Sequence, residues 1–176
     1  MKEVMISICP EWVEKILSGE KTIEVRKTAP KIKTPFKCYI YCTKARKPII
    51  VHGAFVYWDD DLAIIHTPYG VEIRNPYGSL GKDDKLLNGK VVGEFICGKI
   101  IDEVSVEHLT PYGLKCTCLT KDELNAYLGN KDGYGWHISD LKIYDKPKEI
   151  SEFKNLKGKP ITRAFQSWGY VISEAE

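Results

Sequence analysis

No apolar run in this chain approaches the ~20 residues that a membrane-spanning helix needs, so no membrane partner is expected. The opening Met1-Lys2-Glu3-Val4-Met5-Ile6 carries an acid and turns at once into a strand-like run. It lacks the long apolar core of a secretory leader, and a cytoplasmic protein is expected. No internal repeat or low-complexity tract is visible. The four histidines, His52, His66, His108 and His137, include no pair at the spacing of a helical metal site. No serine or cysteine stands in a recognisable nucleophile motif. Gly133-Tyr134-Gly135 lacks the lysine and helix that would make it a phosphate loop, which excludes a nucleoside triphosphatase of that type.

Two-residue cysteine knuckles are also missing. The six cysteines are Cys9, Cys38, Cys42, Cys97, Cys116 and Cys118. Neither the Cys38/Cys42 nor the Cys116/Cys118 spacing is that of a structural zinc site. Cys38, Ile40 and Cys42 share a parity, so on a strand they point into one core. Free thiols in a reducing compartment follow, with no metal and no cofactor expected.

What is present is ordinary in amount: 43% hydrophobic and 28% charged residues over 176 positions. That balance excludes a disordered tail, a fibre or a coiled coil, and the length favours one domain over residues 1–176. The net charge is only +2, but its placement is uneven. Lys21, Arg26, Lys27, Lys31, Lys33, Lys37, Lys44, Arg46 and Lys47 fall in a stretch whose only acid is Glu24. Lys154, Lys157, Lys159 and Arg163 form a second run with no acid before Glu174. Such segments attract phosphates, or are simply solvated loops.

Residues 4–8 read as a strand. Pro10 opens a short helix to Ser18, and Trp12, Val13, Ile16 and Leu17 form its apolar face, which assigns Trp12 to the core. Gly19 ends it. Residues 22–26, 36–43, 90–101, 136–144 and 167–173 read as strands, that over 90–101 bent at Gly93 or Gly98. Thr120 and Glu123 form a capping box for a helix ended by Gly129, and residues 150–153 make one turn. Within residues 53–89, an irregular insertion is expected, with possible strands at 54–58 and 71–74 and turn signals at Asn75-Pro76-Tyr77-Gly78. Many strands, few helices and no strand–helix alternation favour an α+β fold with a closed or nearly closed antiparallel sheet.

The densest polar constellation is Gly19-Glu20-Lys21-Thr22-Ile23-Glu24-Val25-Arg26. Gly19 lets the chain turn sharply out of the helix. Glu24 and Arg26, two apart on a strand, project from one face. A carboxylate between an ammonium and a guanidinium can read a polar planar ligand or orient a water. The same residues also fit the polar face of an edge strand, with Glu24 and Arg26 a weak surface pair.

The pattern Gly-x-Lys-x-x-Glu-x-Arg at Gly19, Lys21, Glu24 and Arg26 resembles the signature of the ASCH (activating signal cointegrator homology) domain family. Residues 24–28, 35–44, 89–95, 135–141, 143–147, 161–163 and 166–171 are similar to a bacterial and phage-type branch of it. The resemblance covers most of the chain outside residues 53–89. It implies a PUA-like fold, a mixed or antiparallel β pseudo-barrel with two or three short helices and a cleft beside the signature. It also implies binding of RNA, or of modified nucleobases as nucleotide-like ligands. Some relatives are amidohydrolases that release acetate from 4-acetylcytidine; others are ribonucleases. In the amidohydrolases the signature lysine activates a threonine three residues later. Lys21 matches that lysine, but Glu24 occupies the threonine position, and no residue here is assignable to their downstream glutamate. The nucleophilic mechanism does not transfer, and Lys21 and Glu24 are catalytic candidates only if Glu24 serves as a base. Binding fits these residues better: Lys21, Arg26 and Lys44 for phosphate, Glu24 for an exocyclic amine, and Gly19 for the turn. Tyr39, Tyr41, Trp136, Trp168 and Tyr170 are candidates to stack on a base.

Overall fold

A computed structural model describes residues 2–44, 49–52, 55–58, 63–67, 70–74, 84–129 and 131–172. Strand β1 (Lys2–Ile8) leads into helix α1 (Pro10–Leu17), with Pro10 in its first turn. Strands β2 (Ile23–Arg26) and β3 (Phe36–Cys42) follow. Short strands β4 (Ile49–His52), β5 (Phe55–Trp58), β6 (Ala63–Thr67), β7 (Gly70–Arg74) and β8 (Asp84–Leu86) come next. The long β9 (Val91–Val104) precedes α2 (Pro111–Thr117) and α3 (Lys121–Leu128). Strand β10 (Gly133–Lys148), a 3-10 turn at Ile150–Glu152 and β11 (Trp168–Ile172) complete the order.

The main sheet runs β11-β1-β3-β9-β10-β2. Every neighbouring pair is antiparallel except β1–β3, which is parallel. The α+β reading holds, whereas the closed antiparallel sheet does not: β2 and β11 are the outer strands and do not pair with each other. Closure would need backbone pairing at that seam, and side chains bridge it instead. Arg26 on β2 reaches β1, and Trp168 Nε1 on β11 donates to Thr28 Oγ1 at 3.0 Å, just past β2.

Strand parity places the core as the alternation predicts. Val4, Ile6 and Ile8 with Cys38, Ile40 and Cys42 pack against Val13 and Ile16 of α1. Met5, Tyr39, Tyr41, Val91 and Val171 point into a second cluster closed by Phe153 and Ile161. Val25, Val104, Leu124 and Leu128 form a third, under α3.

The stretch expected to be an irregular insertion contains β5 and β7 close to the suggested places, with β6 and β8 besides, and β4 lies just before it. They form two small sheets, β5-β4-β8 and β6-β7, favoured by β-branched runs such as Ile49-Ile50-Val51. The Asn75–Gly78 turn signal lies outside the described residues, as do Arg46 and Lys47. Helix α2 was not legible because Pro111 and Gly113 argue against a helix. Thr110 nonetheless caps it, accepting from Gly113 N at 3.0 Å. The Thr120/Glu123 capping box forms as read.

Gly93 of β9 lies close against β10, opposite Ile143. A Cβ there would stand 2.5 Å from the Lys142 carbonyl oxygen, inside any tolerable contact. Gly93→Val is therefore expected to lower stability by about 1–3 kcal/mol through forced displacement of β10, read as a lower urea midpoint. An unchanged midpoint would show that the two strands separate freely at this point.

Candidate functional site

The signature residues are positioned by the end of α1. Gly19 takes φ +80°, and Lys21 N donates to Lys15 O at 2.9 Å, folding the chain back on the helix before β2 begins. Lys21 is then only 2% exposed. Its Nζ donates to the carbonyl of Thr117, the last residue of α2, at 2.5 Å and lies 3.3 Å from Glu24 Oε2. A cation there satisfies an orphan carbonyl and complements the negative end of the helix. Glu24 Oε1 lies 2.9 Å from Arg26 Nη2. The same Nη2 donates to Ser7 O at 2.7 Å, and Nη1 reaches Ser167 Oγ at 3.4 Å.

This chain is buried, which decides against the weak surface pair: Glu24 is 6% and Arg26 8% exposed. Ions removed from water need close partners, and here two cations meet one anion, with two carbonyls assisting. The cluster keeps an excess positive charge. It also leaves polar atoms without hydrogen-bond partners among the described residues: Glu24 Oε2, Arg26 Nε and Ser7 Oγ. The ammonium of Lys21 is within ion-pair range of Oε2 but directs its hydrogen bond to Thr117.

Ser7, Lys21, Glu24 and Arg26 all line one open pocket of about 790 Å³. Other parts of its wall come from Trp12 of α1, from Lys27 and Thr28 after β2, and from Glu123, Ala126 and Tyr127 of α3. Lys21 Nζ lies 5.2 Å from the Trp12 ring centre, and Lys27 Nζ 5.3 Å from that of Tyr127. Exposed Glu11 and Glu123 also border the pocket, so its field is positive at the base and mixed at the rim.

No protein-family model matches the chain, and no curated protein shows significant similarity to it. Among solved structures, a serine-to-alanine mutant of the ASCH protein from Zymomonas mobilis aligns with a TM-score of 0.59 at 16% identity. The alignment covers 96% of this chain and 87% of that one. A tyrosine-to-phenylalanine mutant of the same protein aligns with a TM-score of 0.52 at 17% identity, covering 85% and 77%. The chain has the ASCH fold.

Within this ASCH fold the residues singled out from sequence are divided. Lys21, Glu24 and Arg26 converge on the pocket; Gly19 sets the turn behind them and does not border it. Trp136 is fully buried among core residues, its ring 5.9 Å from Phe36, so it has no face open to a ligand. Tyr41 and Tyr39 point by parity into the second core cluster, and Tyr39 donates to Glu3 Oε2 at 2.6 Å. Trp168 is half-buried and spans the seam through Thr28. The hydroxyl of Tyr170 accepts from Lys31 N at 2.8 Å. Lys44 is exposed, its stem against Gly89, outside the pocket wall. Large aromatics gain most by burial, and that outweighed the expectation of stacking for Trp136 and Tyr41. Sequence reasoning missed Ser7, Trp12, Lys27 and Tyr127. Trp12, assigned to the core, packs on it only in part and lines the pocket. The 123/126/127 spacing marks one face of α3 apart from core residues Leu124 and Leu128, a signal present in the sequence.

Among the described residues no group of three or more His, Cys, Asp or Glu could hold a metal, and no helix is long and apolar enough to cross a membrane. Burial raises Cys38 well above the ordinary thiol value and pushes Cys97 up to about 11 and Cys42 to about 12. Because these thiols keep their protons in the fold, their contribution is fully present below pH 9.0 and is lost as pH rises toward 11–12. At pH 8 an alkylating reagent is expected to label exposed Cys9, and to reach Cys38, Cys42 and Cys97 only after denaturation. Labelling of those three in the folded protein would contradict the packing.

Glu24→Gln strips the anion from between two buried cations. Stability is expected to fall by about 3–5 kcal/mol in chemical denaturation. The exposed Lys15–Glu20 pair supplies the control: Glu20→Gln is expected to leave the midpoint unchanged. Equal midpoints for the two variants would remove the buried ion chain from the stability argument.

Proposed function

We propose that this chain belongs to the ASCH family and binds single-stranded RNA or a nucleotide-like small molecule, holding one base in the pocket at Lys21, Glu24 and Arg26. The observation that carries the reading is the set of unmatched polar atoms in the pocket residues. Arg26 Nε is a buried donor, Glu24 Oε2 a buried acceptor, and Ser7 Oγ can act as either. Unpaired polar groups in a low-dielectric site are costly, and these belong to side chains lining the pocket, where small side-chain shifts let a ligand edge carrying both a donor and an acceptor satisfy them together. Nucleobase edges have that character. The excess positive charge at the base of the pocket favours an acceptor-rich ligand. Lys27 at the rim is the exposed cation closest to hand for a phosphate, a contact that adds affinity without sequence information.

Hydrolysis of a modified nucleoside or of RNA has less support. Glu24 stands where the amidohydrolases carry their threonine, and Thr22 does not border the pocket. Binding needs no nucleophile and uses the residues as they stand.

Ser7→Ala separates function from folding. Removing a buried hydroxyl that has no partner is expected to leave stability equal or higher, because an unsatisfied group is lost. It is expected to weaken ligand binding several-fold. Affinity for a single-stranded oligoribonucleotide, followed by fluorescence anisotropy, is expected to fall linearly with salt on a log–log scale. Lys27→Glu is expected to reduce both the affinity and the slope. Absence of RNA and nucleotide binding at low salt would overturn the reading, as would full affinity in both variants.

A further inference from the structure

We propose that Trp12 of α1 and Tyr127 of α3 are the two walls of an aromatic slot above the ion chain, restricting the ligand to flat, unsaturated heterocycles such as nucleobases. The inference rests on the reading of the pocket as a base site and adds what selects the ring. Both side chains line the pocket and both are half-buried, so each keeps ring surface open where the core aromatics do not.

The two rings come from separate helices, each held by its own packing. Val13, Ile16 and Leu17 anchor α1, and Leu124 and Leu128 anchor α3. Their positions are thus set by the fold rather than by each other, as a preformed slot requires. The polar groups of Glu24, Arg26 and Ser7 can address only the edge of a bound ring. Its two faces need apolar, polarisable partners, and among the described residues Trp12 and Tyr127 are the tryptophan and tyrosine in the pocket wall.

An ammonium already lies near each ring. Lys21 is fixed beside Trp12 by its bonds to Thr117 and Glu24. Lys27, beside Tyr127, is exposed and able to swing to a ligand phosphate, uncovering that ring as the base arrives. A saturated or bulky ring would satisfy the edge contacts but not the walls. Trp12 and Tyr127 would therefore determine the class of ligand, while the ion chain orients it.

The test is calorimetric titration of the four 5′-ribonucleoside monophosphates and of ribose 5-phosphate, which has the phosphate without the base. The proposal expects at least one nucleotide to bind more tightly than ribose 5-phosphate. Trp12→Ala and Tyr127→Ala should each reduce its affinity about ten- to a hundredfold, the range of a lost stacking contact, leaving ribose 5-phosphate unaffected. Trp12→Phe and Tyr127→Phe should keep most of the affinity, since a ring face remains. If Trp12→Ala fails to fold, the tyrosine pair of variants decides the matter: Tyr127 packs only against the margin of the third cluster, and Tyr127→Phe keeps that packing. Nucleotide binding that survives Tyr127→Ala and a folded Trp12→Ala would overturn the slot while leaving the base site standing. Failure of every nucleotide to bind the unaltered protein would instead remove the base site itself.

Discussion

The structure depends on a single buried run of charge, from Lys21 through Glu24 to Arg26. Each residue is costly to bury alone, and each is acceptable only because the others are within reach. Their remaining partners come from distant parts of the chain. Lys21 closes the carbonyl end of α2, 96 residues on, and Arg26 reaches both Ser7 and Ser167, the latter 141 residues on. The run thus joins the exit of α1, the end of α2 and the open edge of the main sheet. A pocket floor made this way cannot exist until those elements have docked.

The same residues explain why the sheet stays open. Its outer strands β2 and β11 do not pair. The seam between them carries Arg26, Ser7, Ser167, Thr28 and Trp168, joined by side-chain hydrogen bonds. A backbone ladder would have closed the barrel and left no gap between these strands. Side chains close it only in part, and the pocket occupies the gap. An open edge of a sheet is ordinarily a liability, and here bulky and charged side chains cover it.

Much of the fold was legible because alternation and capping are local. The parity of residues 36–42 assigned Cys38, Ile40 and Cys42 to one core and Tyr39 and Tyr41 to the other side. Gly19, Gly129 and the Thr120/Glu123 box marked helix ends correctly. Helix α2 escaped notice because its proline and glycine disfavour helix, while its cap and tertiary packing outweigh that propensity. The stretch between β3 and β9 was harder, since its strands are short and flanked by turn-forming residues, which weakens any periodic signal.

The candidate site was readable only in its centre. Spacing alone put Glu24 and Arg26 on one face and Lys21 in the turn before them. Whether that face met water or protein was undetermined, because burial is a property of what packs over a residue and not of its neighbours in the chain. The aromatics show the same limit: Trp136 and Tyr41 are as large and flat as Trp12 and Tyr127, and only tertiary packing buries the first pair and places the second in the pocket wall. The order of amino acids therefore determined the local elements, the two-sided core and the charged trio. The tertiary structure decided which strands remain unpaired, which polar atoms are stranded without partners and which rings border the pocket, since each of these depends on contacts between segments that sequence distance keeps apart.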